Sequence, residues 1–175
     1  MKKILFCLVS LVLLFGSFEA KANEVAVINL EEIVNNSIAM NKFKKKLEAQ
    51  KSDMEKKLKV EEKSLKDEQT ALEAQSKMLS QEMLQQKAIA LQDKINTFQN
   101  KVKDSENELQ KNFMDAYVQL TNNIKDIIVN MKNEKNNKYT FDVVIPQAST
   151  LYSNSDIDIS GEVLKRLNNK LKEIK

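Results

Sequence analysis

The side chains that usually carry catalysis are almost missing from this 175-residue chain. It has no histidine and no tryptophan, a single cysteine (Cys7) and a single arginine (Arg166). Metal sites built on His or Cys are excluded, as are His-dependent nucleophilic triads. Residues 17–145 contain neither glycine nor proline, so no glycine-rich phosphate loop can form there. Carboxylates are plentiful, but they alternate with lysines in the manner of solvated helix faces. We therefore expect no enzyme, no catalytic residue, no cofactor and no metal. What remains is adhesive chemistry. Met78, Leu79, Met83 and Leu84 cluster in the middle of the chain. Methionine's flexible thioether suits varied apolar partners, whereas the two leucines read more simply as core. Lys42, Lys44, Lys45 and Lys46 could draw in acidic segments, although a solvated face is the simpler reading.

The chain start reads as an export signal. Lys2 and Lys3 precede an apolar run from Ile4 to Phe15, and Ala20-Lys21-Ala22 fits a small-x-small cleavage site. The run is too short to span a bilayer, and Cys7 lies inside it rather than beside the cleavage site. Cleavage after Ala22 removes three of the 28 basic residues (Lys2, Lys3, Lys21) and one of the 25 acidic ones (Glu19). That leaves 25 and 24, a formal charge of +1. The mature chain then carries no cysteine. Near neutrality argues against a nucleic-acid partner and gives no support to contact with a membrane surface.

A stretch without backbone punctuation, carrying one narrow apolar stripe, must form long helices rather than a globule. In the first helix Leu58, Leu65, Leu72 and Leu79 repeat every seven residues, with Glu61, Glu68 and Gln75 in the companion column. The second helix carries Leu84, Ala88, Leu91, Ile95, Phe98, Val102, Ser105 and Leu109 in steps of four and three. It continues through Phe113, Ala116, Leu120, Ile124, Ile127 and Met131 with an eleven-residue period. This predicts a left-handed supercoil that straightens toward one end.

Two such stripes can face each other in an antiparallel hairpin. Pairs whose residue numbers sum to 156 match Leu72 with Leu84 and Leu58 with Phe98; a sum of 163 fits nearly as well. Ser76 and Ser80 supply helix-ending and helix-starting hydroxyls, which favours a turn near Met78 and the first frame.

The chain ends read differently. Val25 to Leu30 is an apolar run expected to be a buried strand, followed by one helical turn, with Asn35-Asn36-Ser37 capping the long helix. Phe141 to Ile145 is a second strand ended by Pro146, and Ser149 to Tyr152 a candidate third. Asp158 or Ser160 caps a last helix with Val163, Leu164, Leu167 and Leu171 on its apolar face. Tyr139 and Tyr152 are expected around the strands, and Phe113, Tyr117 and Ile128 against the body or a cavity. The fold class is α+β, mostly α: a long helical hairpin inserted into a small β-strand body that carries a C-terminal helix. The expected partition is a signal peptide (1–22), the first part of the body (23–36), the arm (37–134, turning near 76–81) and the rest of the body (135–175). About 60 residues is close to the lower limit for a self-sufficient core. With open strand edges, it predicts a cyclic homo-oligomer joined at the strands.

The run from Val25 to Ile33, the helical middle, and the end from Phe141 to Ile145 and from Leu151 to Leu164 resemble the Skp (OmpH) family of periplasmic chaperones. The most specific part is the tail: a tyrosine before a polar turn, then Asp158-Ile159-Ser160 and Glu162-Val163-Leu164 opening a helix. The resemblance implies a homotrimer in the periplasm, with a small β body and helical arms enclosing a cavity. There, unfolded outer-membrane proteins would be held without ATP. By position, Val25, Val27, Val143 and Ile145 would line the oligomer body. The rival reading is a structural or adaptor coiled coil of the cell envelope with one folded partner.

Overall fold

A computed structural model describes residues 24–134 and 138–174. The expected signal peptide lies outside them. Strand β1 (Val25–Ile28) is two residues shorter than the apolar run. Asn29 leaves the strand because its side chain accepts the Glu32 N–H at 3.0 Å, which makes it the N-cap of helix α1 (Leu30–Asn36). Ser37 then caps helix α2 (Ile38–Gln75), its Oγ accepting the Met40 N–H at 3.3 Å. Helix α3 (Gln81–Asn133) opens in the same way on Ser80, whose Oγ accepts the Met83 N–H at 3.3 Å. At 38 and 53 residues these helices extend about 57 and 80 Å.

Strand β2 (Val143–Pro146) pairs parallel to β1, Val25 opposite Val143 and Val27 opposite Ile145. A parallel pair needs a crossover connection, and here the crossover is the whole hairpin. The expected strand from Phe141 is displaced by two residues. Phe141 is buried in the core, and Asp142 N–H reaches the Glu24 carbonyl at 2.6 Å before regular pairing begins. Pro146 is the last paired residue rather than a stop before the edge. The expected third strand is absent: Gln147–Ser149 is a 3₁₀ turn, and Thr150 donates both its N–H and its hydroxyl back to Gln147. Within one chain this segment satisfies itself locally instead of joining the sheet.

A second 3₁₀ turn (Ser155–Ile157) leads to helix α4 (Ser160–Lys170). The cap position falls on Ile159, whose side chain caps nothing, rather than on Asp158 or Ser160 as expected; Asp158, one residue ahead, accepts the Ser160 N–H at 2.8 Å, and Val163 and Leu167 are fully buried. Two long-range hydrogen bonds fasten this helix to the chain start. Asn29 N–H donates to Ser160 Oγ at 2.7 Å, and Ile38 N–H donates to Asn168 Oδ1 at 2.9 Å. The core gathers Ala26 and Ile28 of β1, Ile33, Met40, Phe141, Val163 and Leu167 with the basal stretch of α3. That stretch contributes Ala116, Leu120, Ile124, Ile127 and Met131, each no more than 4 % exposed.

The hairpin adopts the second of the two frames the heptads allow. Glu61 with Lys101, Glu68 with Lys94 and Gln75 with Lys87 all sum to 162, and Leu72 and Leu91 line one shared groove. The favoured sum of 156 is therefore wrong by one heptad, although the loop does centre on Met78. Leu79 N–H still donates to the Gln75 carbonyl at 3.2 Å, so helical winding persists to Leu79 and the chain reverses at Ser80. The base decides the frame: Ala39 and Met40 of α2 are buried with Leu120 and Ile124 of α3. A one-heptad slip would take those residues out of register.

Candidate functional site

At the arm tip the four expected residues divide. Met78 is 83 % exposed and Met83 is 50 % exposed, whereas Leu79 and Leu84 are half-buried and close the end of the seam. Ser76 holds the last turn of α2 by donating its hydroxyl to the Glu73 carbonyl at 2.7 Å. The tip thus presents two thioethers on a stapled turn.

Below the tip the seam is thin. Leu91 is the only buried residue of α3 between Gln81 and Asp115, and the leucines of α2 are half-buried. The polar column of α2 is answered across the seam at seven-residue intervals. Lys94 Nζ lies 2.6 and 2.8 Å from the two Glu68 carboxylate oxygens, and Lys101 pairs with Glu61. Gln75 and Lys87 form a weaker third rung at 3.5 Å. Where Ser105 replaces a larger apolar residue, a groove of about 430 Å³ opens among Met54, Leu58 and Leu109. The lysines Lys42, Lys45 and Lys46 are exposed, while Lys44 donates to Asn35 Oδ1 at 3.1 Å.

In the body, the expected oligomer residues share one face of the strand pair. Their register partners place Ala26, Ile28 and Val144 on the core face and Val25, Val27, Val143 and Ile145 on the other. Val25 and Val143 are 40 and 47 % exposed and Ile145 is half-buried, but Val27 is buried. Leu151 and Tyr152 are almost wholly exposed, so Tyr152 does not pack around the strands. Tyr139 does, half-buried against the core. Tyr117 lines a groove of about 500 Å³ with Ile28, Leu30, Val34 and Pro146, at the junction of arm and body. Ile128 packs on the core, and Phe113 stays exposed.

Charge ties the arm to the body. Arg166, the only arginine, donates to both Glu134 carboxylate oxygens through its two terminal nitrogens, Nη1 and Nη2, and to Glu162 Oε1 through Nε at 2.7 Å. The hydrogen bond from Arg166 holds the Glu134 carboxyl below its ordinary range, and Glu134 and Glu162 together raise the guanidinium. Lys132 with Asp142 and Lys170 with Asp126 add pairs between the base of α3 and the chain end. No group of His, Cys, Asp or Glu among the described residues is arranged to hold a metal.

One feature escaped the sequence reading. Ile89, Met114, Val118 and Val129 are exposed on α3, on the side away from its buried stripe. Their spacings of 25, 4 and 11 residues could have revealed them, but lysine and asparagine dominate the intervening sequence.

No curated protein matches the chain. A solved structure from Caulobacter crescentus, a candidate outer membrane chaperone (OmpH-like), superposes with a TM-score of 0.68 at 22% identity. The match covers 91% of this chain and 92% of that one, which supports the strand, hairpin, strand and helix arrangement. The sequence profile of the outer membrane protein (OmpH-like) family matches residues 24–167, from the first residue before β1 into the last helix. The chain belongs to the OmpH-like family.

Proposed function

We propose that this protein is an ATP-independent periplasmic holdase that keeps unfolded outer-membrane proteins from aggregating. In this reading the signal peptide is cleaved after Ala22 and the strand faces join copies into a homo-oligomer, a trimer in its simplest form. The arms then enclose a cavity. The observation that carries the reading is the exposure of large apolar side chains, Met78 and Met83 among them, along arms whose own seam is barely closed. A folded-partner adaptor would bury such residues in one patch; a holdase needs them dispersed and accessible. The exposed pair Val25 and Val143 supports oligomer formation through the sheet face, because two neighbouring valines there stand in solvent within one chain. The absence of His and Cys from the mature sequence agrees with a non-enzymatic role.

The test is to dilute a urea-unfolded outer-membrane barrel protein into the purified mature chain and follow light scattering. Suppression at stoichiometric oligomer, persisting in moderate salt, is expected. Undiminished aggregation would return the protein to the adaptor class. Sedimentation of the same sample sets the number of copies.

A further inference from the structure

Both long helices open on the same cap. Ser37-x-x-Met40 starts α2 and Ser80-x-x-Met83 starts α3, and in each the serine Oγ accepts the methionine N–H at 3.3 Å. That is one half of a capping box, in which a glutamate or glutamine at the methionine's position also accepts the serine N–H. A thioether is too weak an acceptor to supply the second half. At α3 the Ser80 N–H has no hydrogen-bond partner among the described residues. The two methionines differ in access: Met40 is fully buried in the core, whereas Met83 is 50 % exposed. We propose that Met83 is a reversible oxidation site whose sulfoxide completes the capping box of α3, fastening the arm tip as it makes it polar.

The oxidant is a peroxide, hydrogen peroxide in the simplest case. A lone pair on Met83 Sδ attacks one peroxide oxygen, forming the S–O bond as the O–O bond breaks. The transferred oxygen gives up its proton to the departing one, which leaves as water. Sulfur loses two electrons and the peroxide gains them. Sδ follows Cβ and Cγ as Cδ does in glutamate, so the new oxygen occupies the position of a glutamate Oε and can accept the Ser80 N–H. Reduction by a sulfoxide reductase restores the thioether. The other methionines set the contrast. Met78 is 83 % exposed and oxidises as readily, but it lies in the turn and its N–H already donates to the Gln75 carbonyl at 2.9 Å. Met114 is exposed in mid-helix, where the backbone N–H groups are spent on the helix itself and a sulfoxide gains no donor. Met40 and Met131 are shielded by burial.

The test treats the full mature chain with hydrogen peroxide. Peptide mass mapping reads which methionines gain oxygen, and NMR amide exchange reads the Ser80 N–H. Met78 and Met83 are expected to oxidise several-fold faster than Met40 and Met131, and Ser80 exchange to slow several-fold in step with Met83. Met83→Gln should show the slow exchange before any peroxide is added and no further change after it. Met83→Leu should keep the fast exchange throughout. Unchanged Ser80 exchange in the unsubstituted chain after full oxidation of Met83 overturns the proposal. The same slowing in Met83→Leu also overturns it, assigning the effect to Met78. Met40 oxidising as fast as Met83 overturns it as well, because exposure would then not select the site.

Discussion

The two ends of helix α3 both carry an apolar stripe yet live in different environments. From Ala116 to Met131 its stripe is buried against β1, α1, the start of α2 and α4; from Gln81 to Asp115 only Leu91 is buried. The helix is continuous, so the contrast does not come from secondary structure. It comes from how many layers surround the stripe. At the base several elements converge, and along the arm one partner helix covers one side. Stability is therefore concentrated at the base, while the arm retains enough local helix and charge pairing to stay formed and too little burial to be rigid.

Truncation should break this comparison most sharply. Leu120→Ala removes a fully buried side chain and is expected to cost about 3 kcal/mol in urea unfolding. Leu65→Ala, in the half-buried seam, should cost about 1 kcal/mol or less. Equal costs would mean that the arm is as tightly packed as the base. Amide exchange should follow the same gradient, slow through Leu120–Met131 and faster by about 100-fold or more around Met78. Uniform protection along α3 would contradict it.

Acid should act on the junction rather than the arm. Glu134 is held below its ordinary range in the folded protein, so the unfolded chain takes up its proton first. The pair's contribution is present above about pH 5 and is lost as pH falls through the folded value. Glu134→Gln should flatten that part of the melting temperature against pH, and an unchanged acid limb would remove the pair from the account. The smallest effect belongs to Gln75→Glu, which completes the third rung with Lys87. It should stabilise the arm by about 0.5 kcal/mol at most, visible in arm helicity at low salt and erased by high salt.

Local signals were easy to read in the sequence. Ser37 and Ser80 are N-caps because a short hydroxyl before an apolar stripe satisfies a free N–H wherever it occurs. The hairpin frame was not legible, because a heptad pattern matches itself after a seven-residue slip. Lys87, Lys94 and Lys101 share that repeat, so the charges do not break the tie either. Only the non-local burial of Met40 with Leu120 does. The third strand failed for a related reason: β-rich residues at 149–152 announce a strand but not the edge it needs, and one chain leaves Leu151 and Tyr152 in solvent. Of the tip residues, the leucines close the end of the seam, while the methionines stay exposed.

The parallel pairing of β1 and β2 also governs how the body can come together at all. Asn29 and Ser160, which hydrogen-bond across the finished body, are 131 positions apart in sequence. Closing so long a loop through a disordered chain is entropically slow, whereas the turn at residues 76–80 brings its neighbours together over a handful of residues. If the hairpin zips from that turn, its two bases arrive side by side and deliver the strands to each other. The loosely packed arm would then be the assembly jig of the tightly packed body. Weakening the seam should slow refolding much more than it lowers the stability of the finished protein.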